Sequence, residues 1–200
     1  MDMLLQLWGG SLYLVNKMLF SFAEGAGERG ARQLKLWGWA IYILGVPAWV
    51  TILILKHNWI AASIEAGGVP AMVLGLLRVY QGSGENHGTL DGVATVSTYG
   101  FMILGVVFSL YDYHGVTSLF QVLEMGVMVG FLLGSYLLAK ERHVGWLFFM
   151  LMNASMGTLM LLQGKPILAI QQGVSLCFVV YGFLGAVRRN AGGDCEIIVD

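Results

Sequence analysis

Charge is scarce in this chain. Only 12% of the 200 residues are Asp, Glu, Lys or Arg, and the net charge is −1. No basic run exists to hold phosphates, which argues against a nucleic-acid partner. There are two cysteines, Cys177 and Cys195, without metal-ligand spacing, and they read as structural or incidental. A Gly-rich loop ending in Lys-Ser/Thr is absent, so the chain has no means of powering work with ATP. No Gly-x-Ser-x-Gly occurs either, and His57, His87, His114 and His143 all fall in expected loops, so an enzyme is not expected. No cofactor or metal is expected. The Met-Asp start lacks the basic segment of a cleavable signal peptide and reads as mature protein.

Apolar surface is abundant instead. With 57% hydrophobic residues and a mean hydropathy of +0.72, several stretches reach the roughly 20 residues needed to cross a bilayer. The expected class is an all-α membrane protein. Seven transmembrane helices are drawn near 3–23, 36–55, 59–79, 93–112, 117–139, 145–162 and 166–187. The first is the weakest, because Gly9, Gly10, Asn16 and Lys17 interrupt it; an interfacial helix is the alternative there. Breaks are expected at Glu24 to Lys35, Lys56 to Asn58, Gly82 to Gly92, Asp112 to Gly115, Lys140 to His143 and Gly164 to Pro166.

Two glutamates open the same pattern inside these apolar stretches. Glu65 precedes Gly67, Ala71 and Gly75; Glu124 precedes Gly126, Gly130 and Gly134. Small residues at every fourth position let helices approach closely in lipid. A carboxylate at the end of such a stripe is costly, so it should face a cavity or a partner. The cations nearest in sequence to Glu65, Lys56 and Arg78, lie at loop ends, which leaves the glutamates without an expected internal partner.

Loop cations set the orientation. Arg29, Arg32, Lys35, Arg78, Lys140, Arg142, Arg188 and Arg189 fall on one side, Lys56 and Lys165 on the other. The rich side is expected to be cytoplasmic, with the amino terminus outside and the carboxyl terminus inside. Trp37, Trp39, Trp59, Tyr111, Tyr113 and Trp146 lie near span ends and read as interface anchors.

An offset of 107 residues superposes Gly38-Trp39 on Gly145-Trp146, Thr51 on Thr158, Leu55 on Leu162, Ile60 on Ile167, Ala62 on Ala169 and Gly75 on Gly182. This divides a single polytopic domain, 1–200, into a three-helix unit at 3–79, a linker helix at 93–112 and a second three-helix unit at 117–187. Because the offset is an even number of spans, the two units are parallel, in a 3+1+3 plan. Depth along the helices then groups the polar residues. At 1.5 Å per residue, Glu65, Glu124, Trp49, Ser155 and Gln172 lie about 9 to 11 Å below the outer boundary, and Asn153 about 14 Å. Such a layer suits a cavity opening outward between the units.

The second unit reads Glu124-x-Gly126, Lys140 to His143, Gly145-Trp146, Asn153, Gln163, Gln171-Gln172 and Tyr181-Gly182. It resembles the PnuC-type vitamin transporters, bacterial inner-membrane carriers for nicotinamide riboside and related vitamins, similar in fold to the sugar-transporting SWEET proteins. The resemblance covers about a third of the chain. It departs in the first half, where Glu65 stands at the position equivalent to Gln172. It implies a facilitator of a small water-soluble solute held between the two units, with Glu65, Glu124, Trp49, Asn153, Gln171, Gln172 and Ser155 as candidate substrate contacts. In this reading the glutamates balance a cationic solute and Trp49 offers a stacking face, or a glutamate carries a coupling proton. The partners expected are a small-molecule substrate and the lipid bilayer; a homo-oligomer is left open. A SWEET-like sugar transporter and a structural or accessory membrane subunit or sensor are the alternatives.

Overall fold

The structure, a computed structural model, describes residues 2–55, 57–82 and 88–196, with side chains from Leu4 to Arg189. Lys56, His87 and Asp200, and the side chain of Cys195, lie outside the described residues. The described residues form eight helices and no strand: α1 (Asp2–Gly25), α2 (Glu28–Leu55), α3 (Trp59–Gly67), α4 (Val69–Gln81), α5 (Gly88–Asp112), α6 (Leu119–Ala139), α7 (Gly145–Leu162) and α8 (Pro166–Glu196). Six are long and apolar enough to cross a membrane when α3 and α4 are taken as one broken span. The protein is an all-α integral membrane protein.

Several boundaries differ from the sequence reading, among them the last, where α8 runs past 187 to Glu196. The polar stretch from Glu24 to Lys35 is mostly helix, because charged residues extend α2 beyond its apolar part. The Gly82 to Gly92 loop ends earlier, at Gly88, where α5 begins. The third span is interrupted at Gly68, since Pro70 has no N–H to continue the ladder. Ser97 of α5 donates to the Gly67 carbonyl at this break (2.7 Å), replacing part of what the helix loses.

The helices pack as a ring. In order, α1 touches α2, α2 touches α3 and α4, α4 touches α6, α6 touches α7, α7 touches α8, and α8 returns to α1. Helix α5 sits outside, against α3, α4 and α6. The outer surface is apolar, as lipid requires: Leu44, Val96, Ile103, Ile167 and Ile170 are exposed. Buried Gln121 fastens the α5–α6 turn, donating to the carbonyls of Ser109 (3.2 Å) and Gly115 (2.9 Å) and accepting from the Thr117 N–H (3.0 Å).

Helix α1 is 24 residues long, packs in the ring between α2 and α8, and is not among the six helices apolar enough to cross a membrane. Its polar interruptions are buried: Asn16 donates to the Gly38 carbonyl of α2 (3.0 Å) and Ser21 to the Phe178 carbonyl of α8 (2.5 Å). Polarity that counts against a lipid-facing span is what this inner helix uses to bond both neighbours.

Both small-residue stripes face partners. On the α3–α4 column, Gly67 meets the Phe101 ring and Gly75 the Trp39 ring. On α6, Gly126 meets Ser155, Gly130 the α7 backbone and Gly134 the Phe149 ring. The 107-residue offset has a structural counterpart, for Trp39 lies on Gly75 as Trp146 lies on Gly182. Trp39 and Trp146 are therefore core residues, 2% and 1% exposed, and not interface anchors; Trp37, Trp59, Tyr111 and Tyr113 are exposed.

Candidate functional site: a polar axis through the helix ring

At one end of the ring a polar cavity of about 300 Å³ is lined by residues of α1, α2, α4, α6, α7 and α8. Its walls include Lys35 and Arg142, Trp39 and Trp146, and Val79 and Ala186, three pairs separated by the same 107 positions. Paired positions from the two halves of the chain surround one space, which places that space on the ring axis. A larger groove of about 670 Å³ is lined by α5 alone and is almost wholly apolar, as befits a surface in contact with lipid.

Carboxylates tie the ring together at the cavity end. Glu24 of α1, on the cavity wall, faces Lys35 of α2 (3.6 Å) and Arg189 of α8 (3.4 Å), and Arg189 also donates to the Ala23 and Glu24 carbonyls. Asp91 of α5 faces Arg78 of α4 (3.7 Å) and Lys140 of α6 (3.2 Å). The seams α8–α1 and α4–α6, where the first half of the ring meets the second, each carry such a clasp. The Tyr136 hydroxyl and the Asp91 carboxylate beside Lys140 raise the pKa of its ammonium group. These pairs are part exposed, so each contributes about 1 kcal/mol at most.

One helical turn further along the axis, about 5 Å, the floor of the cavity is backed by Lys17, Tyr42 and Phe149. Lys17 is three residues from Phe20, Tyr42 three from Trp39 and Phe149 three from Trp146, all of which belong to the cavity wall. The Lys17 ammonium lies 3.3 Å from the Phe149 ring centroid and 4.6 Å from that of Tyr42. Tyr42 packs edge-on against Phe131 and Phe149 across the ring and stacks with Trp39 (6.2 Å). This is an aromatic plug with a lysine in it.

Beyond the plug lies the layer to which the sequence pointed. Tyr13 of α1 donates its hydroxyl to Glu65, and its ring meets those of Tyr42 (4.9 Å) and Trp49 (6.1 Å). The expectation that Glu65 lacks an internal partner is thus corrected: Tyr13 holds it, and Lys17 is close enough to act on it electrostatically. Glu124 is exposed on α6 and lies outside this cluster. Asn153 is buried and donates to the Phe149 carbonyl one turn back (2.7 Å). Trp49 packs on Gly9 and Gln171 on Gly10 of α1; Ser155 packs on Gly126 and Gln172 on Gly157. The structure therefore joins Glu65 and Trp49 through Tyr13, sets Gln171 against the same helix, and uses Ser155 and Gln172 in helix packing.

No protein-family model, curated protein or solved structure matches the chain.

The axis carries more polar capacity than it uses. Asn16 Oδ1, Lys17 Nζ, Tyr42 Oη, Trp49 Nε1 and Asn153 Oδ1 are buried without a hydrogen-bond partner among the described residues. Buried polar groups are nearly always paired, because each unsatisfied one costs about 1 to 3 kcal/mol. These five belong to α1, α2 and α7, three of the helices that line the cavity. Sequence reasoning missed Tyr13, Lys17, Tyr42, Lys35, Arg142 and Arg189. The usable signal was the repeat itself, which pairs Lys35 with Arg142 as it pairs Trp39 with Trp146.

Proposed function

We propose that this protein is a membrane carrier for a small water-soluble solute, which moves along the ring axis between the Tyr13–Trp49–Glu65 cluster and the cavity. The observation that carries this reading is the on-axis cavity framed by Lys35 and Arg142, Trp39 and Trp146, and Val79 and Ala186, with unpartnered polar atoms continuing inward from it. The resemblance of the second unit to PnuC-type carriers agrees with the reading and suggests a compact, vitamin-like solute. The contacts proposed are Trp39, Trp146, Lys35 and Arg142 at the cavity and Glu65, Trp49 and Asn153 beyond it. Glu124 takes no part.

The cavity end is rich in cations, which by the positive-inside rule makes it cytoplasmic. Reporter fusions after Pro166 and after Arg189 should accordingly lie on opposite faces, the second in the cytoplasm. A periplasmic reporter after Arg189 would invert the path.

Transport is tested in proteoliposomes with nicotinamide riboside, thiamine, glucose and small carboxylates. The wild type should move at least one class, and Arg142→Gln and Glu65→Gln should each slow that flux by about tenfold or more while the protein remains monodisperse. Glu124→Gln should leave it unchanged. If the wild type moves none of these solutes, the carrier reading is wrong.

A further inference from the structure

Lys17 is the least explicable residue of a purely structural bundle. It is 1% exposed, sits at the level of the aromatic plug, and makes no hydrogen bond among the described residues. Two aromatic faces lie against it, with ring centroids at 3.3 and 4.6 Å. Such cation–π contacts are weak beside the cost of taking an ammonium out of water. Glu65 forms no ion pair with it among the described residues and is already engaged by Tyr13. The lysine remains short of an acceptor.

Its neighbours define what would satisfy it. Tyr42, on which Lys17 lies, leaves its hydroxyl unpartnered, and Asn153, one turn along α7 from Phe149, leaves its Oδ1 unpartnered. Both are fully buried. Lys17 offers three donors, Tyr42 one donor, and Asn153 one acceptor position. A carboxylate takes hydrogen bonds from the first two, and a hydroxyl or N–H on the same molecule bonds to the third. The aromatic rings of Tyr42, Phe149, Trp39 and Trp146 suit a flat body attached to that carboxylate.

Resting on the carrier reading, we propose that Lys17 anchors a small organic anion, a carboxylate with a compact and preferably aromatic body, at the level of Tyr42 and Asn153. The solute class is then anionic. The glutamates do not serve to balance a cation; Glu65 and Tyr13 instead close the far side of the site.

Three molecules that share one ring test the charge: nicotinate (anion), nicotinamide (neutral) and N-methylnicotinamide (cation), with acetate and lactate as further carboxylates. Binding is read as thermal stabilisation of the purified protein in detergent, and flux is read separately in proteoliposomes. At a hundredfold excess over Kd, a carboxylate should raise the melting temperature by roughly 5 to 10 °C, and the neutral and cationic analogues at the same concentration should not. Lys17→Met should weaken carboxylate binding by at least about thirtyfold. The same substitution should raise the melting temperature of the ligand-free protein, because it removes a buried charge that lacks a hydrogen bond. A merely structural lysine would lower it. Lys17→Arg should keep the preference for anions, and Lys17→Gln, which retains hydrogen bonding, serves if the Met variant does not fold. The inference is overturned if none of the three carboxylates stabilises the wild type, if the cation is preferred, or if Lys17→Met and Lys17→Gln bind as well as the wild type. Binding through Lys17 without flux would uphold this site and end the carrier reading; flux of another solute without carboxylate binding would do the reverse.

Discussion

Gly130→Leu is expected to abolish the folded, monodisperse protein, and Gly130→Ala to lower its melting temperature by roughly 5 to 10 °C, the equivalent of about 2 to 3 kcal/mol of overpacking. A Cβ at Gly130 would stand 2.6 Å from the Phe148 carbonyl oxygen and 2.7 Å from the Met152 nitrogen. Both are backbone atoms of α7, so no side-chain rotation relieves the clash and the two helices must separate. Gly134 differs in kind, since its neighbour is the Phe149 ring; Gly134→Ala should cost less. Gly92 and Gly100 of α5 have open space before them, and replacement by Ala there should leave stability unchanged or slightly raised, because alanine loses less backbone freedom in a helix. Size-exclusion profiles and detergent melts of the four Ala variants check the ranking. An unperturbed Gly130→Leu protein would show that α6 and α7 do not pack as described.

The second large effect concerns the tryptophan seats. Trp39→Ala and Trp146→Ala should each cost about 3 to 5 kcal/mol, as the removal of a fully buried large side chain does. Gly75→Leu and Gly182→Leu should be comparably severe, since each Trp ring lies directly on its glycine. Combining Trp39→Ala with Gly75→Leu exchanges a large residue for a small one across a single contact. The double variant should recover about 1 to 3 kcal/mol relative to the sum of the single losses. The same coupling is expected for Trp146 with Gly182. Strict additivity in both pairs would mean that the contacts are not made. Recovery in one pair alone would show that the two halves of the ring pack differently despite their shared offset.

Much of this architecture was legible in the sequence, and what was missed has identifiable causes. The helical class, the span from Gly145 to Leu162 and the small-residue stripes followed from hydropathy and from glycine spacing, both of which are local properties. The 107-residue offset correctly singled out Trp39 with Trp146 and Gly75 with Gly182. Their positions near span ends then suggested interface anchoring, whereas burial showed them to be core. That error arises because distance along a helix gives depth but not direction, and these two rings turn inward toward the axis. The glutamates illustrate the same limit. Glu65 and Glu124 share depth and sequence context, yet one meets Tyr13 and the other is exposed, since which way a helix faces depends on neighbours distant in sequence. Lys17 was hidden by its setting: a cation there counted against a membrane span, whereas its side chain is buried within the helix ring.

The interruption at Gly68 has a mechanical consequence. Helix α3 carries Glu65, and α4 carries Gly75, the seat of Trp39. These two fittings therefore ride on separate rods joined at a single articulated point, with Pro70 leaving the joint short of one hydrogen bond. Ser97 fixes the joint to α5 through the Gly67 carbonyl, and the Phe101 and Phe131 rings brace its two glycines. Neither half of this column can therefore be treated as the continuation of the other: each is fastened by its own neighbours, Glu65 by Tyr13 and Gly75 by Trp39.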